Sequence, residues 1–182
     1  LTGNAAANTI DGGIGADTMV GGAGDDIYLA DNEADAVIEL AGEGIDQVRS
    51  VSSHTLADHV ENLHLLGFAE IDGTGNAQAN AITGNNATNI LDGGAGDDRL
   101  DGGIGVDGLI GGRGADELIG GTDTGDLFIY VDREDSFGST VDTIRAFQSG
   151  VDKIDLSLAL THSVSWTVSG GMTIVTAETV EL

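Results

Sequence analysis

Apolar residues return every nine positions in two stretches of the chain. Ile10, Met19, Tyr28 and Val37 mark the first; Ile82, Leu91, Leu100, Leu109 and Leu118 mark the second, with Phe128 one residue late. The polar frame repeats with them, as Gly-Gly-x-Gly-x-Asp-x-apolar-x, in residues 12–20, 21–29, 93–101, 102–110 and 111–119. Weaker units at 3–11, 75–83 and 84–92 open with Gly-Asn and put Asn8, Asn80 and Asn89 where the others have Asp. Beyond the first stretch the glycines stop, but Asp35 with Val37 and, after a two-residue slip, Asp46 with Val48 keep the acid and apolar places. Beyond the second, a one-residue insertion leads to Asp126 and Phe128.

Glycine at this density argues against a helix, and its regularity argues against a flexible linker. Three glycines in six residues predict a turn that visits positive φ or packs without a Cβ. The three residues left over, apolar in the middle, make a strand too short to bury itself. If two units form one flattened coil, each strand lies parallel to the one a coil earlier, about 4.8 Å away, and the apolar residues stack into columns. The predicted fold class is therefore all-β, a parallel β-roll or β-helix solenoid with a thin core.

Charge changes this picture. With 31 acidic against 6 basic residues, the 182-residue chain carries a net charge of −25, yet 40% of it is hydrophobic and regularly spaced, unlike a disordered acidic chain. Such a polyanion is repelled by nucleic acid and by anionic membrane surfaces, and no apolar run has the length of a membrane span. The absence of cysteine excludes thiolate metal sites. In the coil, Asp98 and Asp116 come to one edge, as do Asp107 and Asp126. Two carboxylates about 5 Å apart repel by about 3 kcal/mol at an effective dielectric of about 20. Repeated along an edge, this exceeds what a thin core supplies and predicts cations between the turns. The donors on offer are oxygens, from carboxylates and glycine-turn carbonyls. The cofactor expected is Ca2+, several ions of it, because magnesium prefers to keep its waters.

These nonapeptides resemble the RTX (hemolysin-type) calcium-binding repeat. The resemblance implies a calcium between turns one coil apart, held by the carbonyls of positions two and four and the Asp of the first turn, and by the carbonyls of positions one and three and the Asp of the second. On matching positions this implies Gly94, Gly96 and Asp98 with Gly111, Arg113 and Asp116, and Gly103, Gly105 and Asp107 with Gly121 and Asp126. The Asn units imply Asn85, Ala87 and Asn89 with Gly102, Ile104 and Asp107, and Asn76, Gln78 and Asn80 with Gly93, Ala95 and Asp98. In the first stretch, Asn4, Ala6 and Asn8 would face Gly21, Ala23 and Asp26, while Gly13, Gly15 and Asp17 would face Ala30, Asn32 and Asp35. Asn lowers the ligand charge, so its turns are expected either to hold calcium weakly or to be capped by the side chain without it.

The expected divisions are 1–49 and 75–129 as two β-roll runs, 50–74 as a β insert continuing the stack without metal, and 130–182 as a cap. In the insert, Leu63 and Leu65 alternate around His64 as in a half-buried strand. His54, His59 and His64, five apart, fit neither a helix face nor a zinc motif and are expected at the surface. Residues 142–157 resemble the non-repetitive C-terminal segment of serralysin-type secreted metalloproteases and of some alginate epimerase modules. Val164, Trp166 and Val168 against Met172 and Ile174, with Gly170 and Gly171 between, predict a hairpin that closes the open edge of the stack.

No catalytic centre is legible. HExxH and GxSxG are missing, and Glu134 and Asp135, adjacent on an expected turn, read as solvated acids and not as a glycosidase pair. The chain opens at Leu1 without methionine, which predicts further residues upstream. The expected function is a noncatalytic calcium-binding module of a secreted, extracellular protein. Its partner, implied by the resemblance, is the type I secretion machinery: the chain stays unfolded in a low-calcium cytosol and folds outside, where calcium is plentiful. The alternative is a module that binds an extracellular, alginate-like polysaccharide, against which stands the scarcity of basic residues such as Arg99, Arg113, Arg133 and Arg145 among many acids.

Overall fold

The computed structural model describes residues 1–122, 125–131 and 141–156, and the backbone of 163–169 and 172–178. Among the described residues every regular element is a β-strand, most of three or four residues. One sheet stacks β1 (Thr9–Asp11), β3 (Ile27–Ala30), β5 (Gln47–Ser50), β7 (Asn62–Leu65), β9 (Ala81–Thr83), β11 (Arg99–Asp101), β13 (Glu117–Ile119) and β15 (Asp142–Arg145). The strands that alternate with them in sequence form a second sheet of β6 (His54–Thr55), β8 (Gly73–Thr74), β10 (Ile90–Asp92), β12 (Gly108–Ile110), β14 (Leu127–Ile129) and β16 (Lys153–Asp155), and a pair of β2 (Thr18–Val20) with β4 (Ala36–Ile38). All these neighbours pair in parallel. The chain is the expected parallel β-roll.

The nine-residue period explains the register. Ile82 lies beside Leu100 and Leu100 beside Leu118 in one sheet, and Leu91 beside Leu109 and Leu109 beside Phe128 in the other. The columns bury their side chains: Met19, Tyr28, Ile82, Leu91, Leu100, Leu109, Leu118 and Phe128 have no exposed surface. Because a three-residue strand buries only its middle side chain, stability comes from the stack, each coil covering the next.

Residues 50–74 contribute β6, β7 and β8 to the same sheets. Here one expectation is corrected: His54 is buried, not at the surface. It is aligned with Gly73, Leu91, Leu109 and Phe128, so it fills a place in an apolar column. Its Nδ1 has no hydrogen-bond partner, and burial pushes its pKa below the usual histidine value.

Beyond β15 the order changes. β18 (Met172–Glu178) pairs antiparallel with β15, and β17 (Ser163–Ser169) antiparallel with β18. The hairpin expected from the alternation around Gly170 and Gly171 thus ends the parallel stack. Glu134 and Asp135 lie outside the described residues.

Candidate metal centre

The acids of successive turns are tied into ladders along the edges. On one, Asn80 N donates to Asp98 Oδ1 (2.7 Å), Asp98 N to Asp116 Oδ1 (2.8 Å) and Asp116 N to Asp142 Oδ1 (3.0 Å). On the other, Asn89 N donates to Asp107 Oδ1 (2.8 Å), Asp107 N to Asp126 Oδ1 (3.0 Å) and Asp126 N to Asp152 Oδ1 (3.1 Å). In the first run Asn8 N donates to Asp26 Oδ1 (2.6 Å) and Asp26 N to Asp46 Oδ1 (2.7 Å). One carboxylate oxygen of each acid is thereby fixed by the preceding coil.

The other oxygen carries the chemistry. Asp98 is 2% exposed and its Oδ2 has no hydrogen-bond donor. Burial pushes its carboxyl up to about 8, against the opposing hydrogen bond from Asn80 N and with the charges of Asp116, Asp97 and Asp92 adding to the rise. A Cβ at Gly93 would meet both Asp98 Oδ2 and the Gly111 carbonyl, so these two oxygens converge over a bare Cα. Gly94 and Gly96, at φ +94° and +115°, turn the backbone so that the Gly94 carbonyl accepts Arg113 N (2.9 Å) while Gly96 N donates to the Arg113 carbonyl (2.8 Å). The Gly96 carbonyl points at Gly114. All six residues of the first expected set therefore lie on one pair of facing turns. A buried, donor-less carboxylate oxygen among carbonyls fits a hard cation. Coordination by the Gly94 and Arg113 carbonyls would replace the two hydrogen bonds that now join the turns.

The second set is brought together differently. Asp107 and Asp126 are laddered, and Gly103 and Gly105 precede Asp107 at φ +92° and +145°. It is Gly120, not Gly121, whose carbonyl faces Gly102 and the Asp107 side chain. Gly121 lies over the Gly103 carbonyl, and its own carbonyl accepts Gln148 Nε2 (3.4 Å) from the following coil. The extra residue falls inside the turn, between Gly121 and Asp126, and not before it.

The Asn turns close on themselves. Asn80 Oδ1 accepts Asn76 N (2.7 Å) and its Nδ2 donates to the Val60 and Glu61 carbonyls (3.2 and 3.4 Å). Asn89 Oδ1 accepts Asn85 N (2.9 Å) and its Nδ2 donates to the Ile71 carbonyl (2.5 Å). The facing residues are where the repeat puts them: Ala95 N bonds the Asn76 carbonyl and Ile104 N the Asn85 carbonyl, Gly94 lies over Asn76 and Gly96 over Gln78, Gly105 lies over Ala87, and the Gly102 carbonyl meets Asn89 Oδ1 above Gly84. In the first run Gly21 faces Gly3 and Asn8, Gly24 lies over Ala6, Asn8 Oδ1 accepts Asn4 N, and Ala23 is exposed.

The last expected set divides. Asp17 N donates to Asp35 Oδ1 (2.9 Å), but Asp35 Oδ2 accepts Asp31 N and Asn32 N (3.0 and 3.1 Å). The Ala30 carbonyl accepts Val51 N from the following coil. Asp35 caps its own turn.

Sequence reasoning missed Asp142 and Asp152, which continue both ladders 26 residues after Asp116 and Asp126. Their signal was present as VDTI and VDKI, in which an apolar residue follows the acid at the same offset as in the nonapeptides. It also missed Glu61, whose Oε2 accepts Asp46 N (2.8 Å), and Glu39. Among the described residues no helix is long and apolar enough to cross a membrane.

Comparison with known proteins agrees with this geometry. Residues 1–36 match the RTX calcium-binding nonapeptide repeat (4 copies), and residues 72–169, more than half of the chain, match the peptidase M10 serralysin C terminal family. The endo-1,3-1,4-beta-glycanase ExsH of Rhizobium meliloti (strain 1021) is 40% identical over 65 residues, which is 36% of this chain and 14% of that protein. RTX repeats bind calcium, and a serralysin C-terminal region is a part typical of secreted proteins and distinct from a catalytic domain. The chain belongs to the peptidase M10 serralysin C-terminal family and carries RTX repeats, and so is a calcium-binding module of the secreted-protein type.

Proposed function

We propose that the chain is a noncatalytic folding module of a longer secreted protein, exported unfolded by type I secretion machinery and folded outside the cell by several calcium ions bound between its turns. The observation that carries this reading is Asp98 Oδ2, buried beside the Gly111 carbonyl without a hydrogen-bond donor. In low calcium such oxygens oppose the coil, since burying a charge without a partner is costly. In millimolar calcium even weak sites fill, and binding energy becomes folding energy. The ligands proposed for the strongest site are Gly94, Gly96, Asp98, Gly111, Arg113 and Asp116; for the neighbouring one, Gly103, Gly105, Asp107, Gly120 and Asp126. Far-UV circular dichroism of the chain, titrated with calcium and separately with magnesium, tests this. A β signal that appears with calcium and not with magnesium is expected; a spectrum indifferent to chelator overturns the mechanism.

A second reading, favoured by the match to a glycanase, is a module that holds a polysaccharide for a carbohydrate-active parent. Against it, the exposed Arg99 bonds Asp101 and Glu117, Arg145 bonds Glu117, and Arg49 bonds Gln47, so these three basic side chains are already engaged within the chain. Affinity for alginate and for mixed-linkage β-glucan, measured in calcium, separates the two readings.

A further inference from the structure

The end of the first run holds a second kind of site. Val20 and Ile38 are register partners, so Glu39 stands one coil beyond Gly21, in the place that a position-one glycine fills elsewhere. In the turns of 93–116 that position offers a backbone carbonyl, Gly111 O, to the acid of the coil before. Here it offers a side-chain carboxylate instead. A Cβ at Gly21 would meet Asp26 Oδ2, Glu39 Oε1 and Tyr28 Oη together. Asp46, one coil after Asp26, brings a third carboxylate, and one oxygen from each of the three acids lies within 4.8 Å of the others.

These groups are buried and incompletely paired. Asp26 and Asp46 are 1% exposed and Glu39 6%. Each has one oxygen occupied, Asp26 Oδ1 by Asn8 N, Asp46 Oδ1 by Asp26 N and Glu39 Oε1 by the Tyr28 hydroxyl, and each has a second oxygen without a hydrogen-bond donor. Among the described residues, Arg49 is committed to Gln47, and Arg99 and Arg145 to Asp101 and Glu117. A calcium ion takes carboxylate oxygens at about 2.3–2.6 Å, so a spread of 4.8 Å is one that a single ion spans.

We infer that Asp26, Glu39 and Asp46 together hold one calcium ion, in a tricarboxylate site distinct in make-up from the carbonyl-rich nonapeptide sites. With three charged ligands against two in a nonapeptide site, it is the tightest in the chain and the first to fill. The Tyr28 hydroxyl, bonded to Glu39, puts a chromophore beside the ion.

Terbium titration of the full chain tests this, with tyrosine excitation read as sensitised emission and calcium counted by calorimetry. The first equivalent of terbium is expected to give the Tyr28-sensitised signal, and calcium to compete it away. Glu39→Gln is expected to weaken one calcium equivalent at least tenfold and leave the others unchanged; Tyr28→Phe is expected to remove the sensitised signal of the first equivalent with the ion count kept. Unchanged number and affinity in Glu39→Gln overturns the inference. Should that variant fail to fold, anomalous scattering from terbium-soaked crystals of the unaltered chain decides: a peak among the three carboxylates supports the site, and its absence refutes it. Either outcome leaves the circular dichroism response to calcium intact, so this inference fails separately from the folding role.

Discussion

Asn80 and Asp98 stand one coil apart at the same place in the same edge, and the turns they close are finished in opposite ways. Both have Oδ1 occupied by a backbone N–H. The amide of Asn80 then donates to the carbonyls of Val60 and Glu61, whereas the carboxylate of Asp98 has no proton to give and leaves Oδ2 facing Gly111 O. The amide supplies the positive end of its own contacts. The carboxylate requires it from outside. Asp35 adds a third outcome: in a turn without the glycine frame, Asp31 N and Asn32 N reach its second oxygen. Demand for a cation thus follows from whether the turn's own N–H groups reach that oxygen, and not from acidity alone.

The largest expected effect comes from pH without metal. The Asp98 carboxyl is pushed up to about 8 in the fold, against about 3.9 in an unfolded chain, and burial raises Asp46 and Glu39 too. A raised carboxyl favours the fold in its protonated form, so its contribution is full below about pH 4 and is lost as pH climbs towards about 8. In chelator, the β signal in circular dichroism is therefore expected to grow on acidification from pH 8 to pH 5. A signal that falls or stays flat removes the comparison's electrostatic basis.

Leu100→Ala comes next. It opens the stacked column and should cost about 2–5 kcal/mol in calcium-saturated thermal unfolding, with the ion count by calorimetry unchanged. Loss of an ion along with the core would mean that column and turn are not separable.

Asn80→Asp sharpens the contrast directly. A carboxylate facing the Val60 and Glu61 carbonyls loses two donors, with an expected cost of about 1–3 kcal/mol in urea unfolding; an unaltered midpoint would show that the amide is dispensable. The reverse change, Asp98→Asn, has the smallest effect. Its amide reaches for Gly111 O, so the calcium-free fold gains about 1 kcal/mol while one calcium equivalent is weakened in calorimetry. Full-strength binding by this variant would remove Asp98 from the ligands.

Much of the fold was legible because period and burial coincide. A nine-residue spacing of Ile82, Leu91, Leu100, Leu109 and Leu118 permits only alternation between two sheets, and all five have no exposed surface. The place of Gly121 was less legible, because an extra residue fits at several points of a turn, and only the stacking of Gly120 against Gly102 and of Gly121 against Gly103 fixes where. Asp142 and Asp152 were obscured by the 26-residue spacing, which breaks the period without breaking the ladder. His54 was misread because a histidine carries no mark of the column it enters.

The sequence alone determined the short strands, the glycine turns and the acid at the end of each, since these follow from backbone freedom and from a local period. Which acids keep an oxygen without a donor was decided only by the tertiary structure. Asp98 and Asp35 have the same chemistry, and Glu39 has no repeat around it; what separates them is the path the folded backbone takes around each acid. Asp31 N and Asn32 N turn back onto Asp35 Oδ2, whereas Asp98 Oδ2 meets the Gly111 carbonyl of the next coil and no donor, a difference that backbone geometry decides and residue type does not.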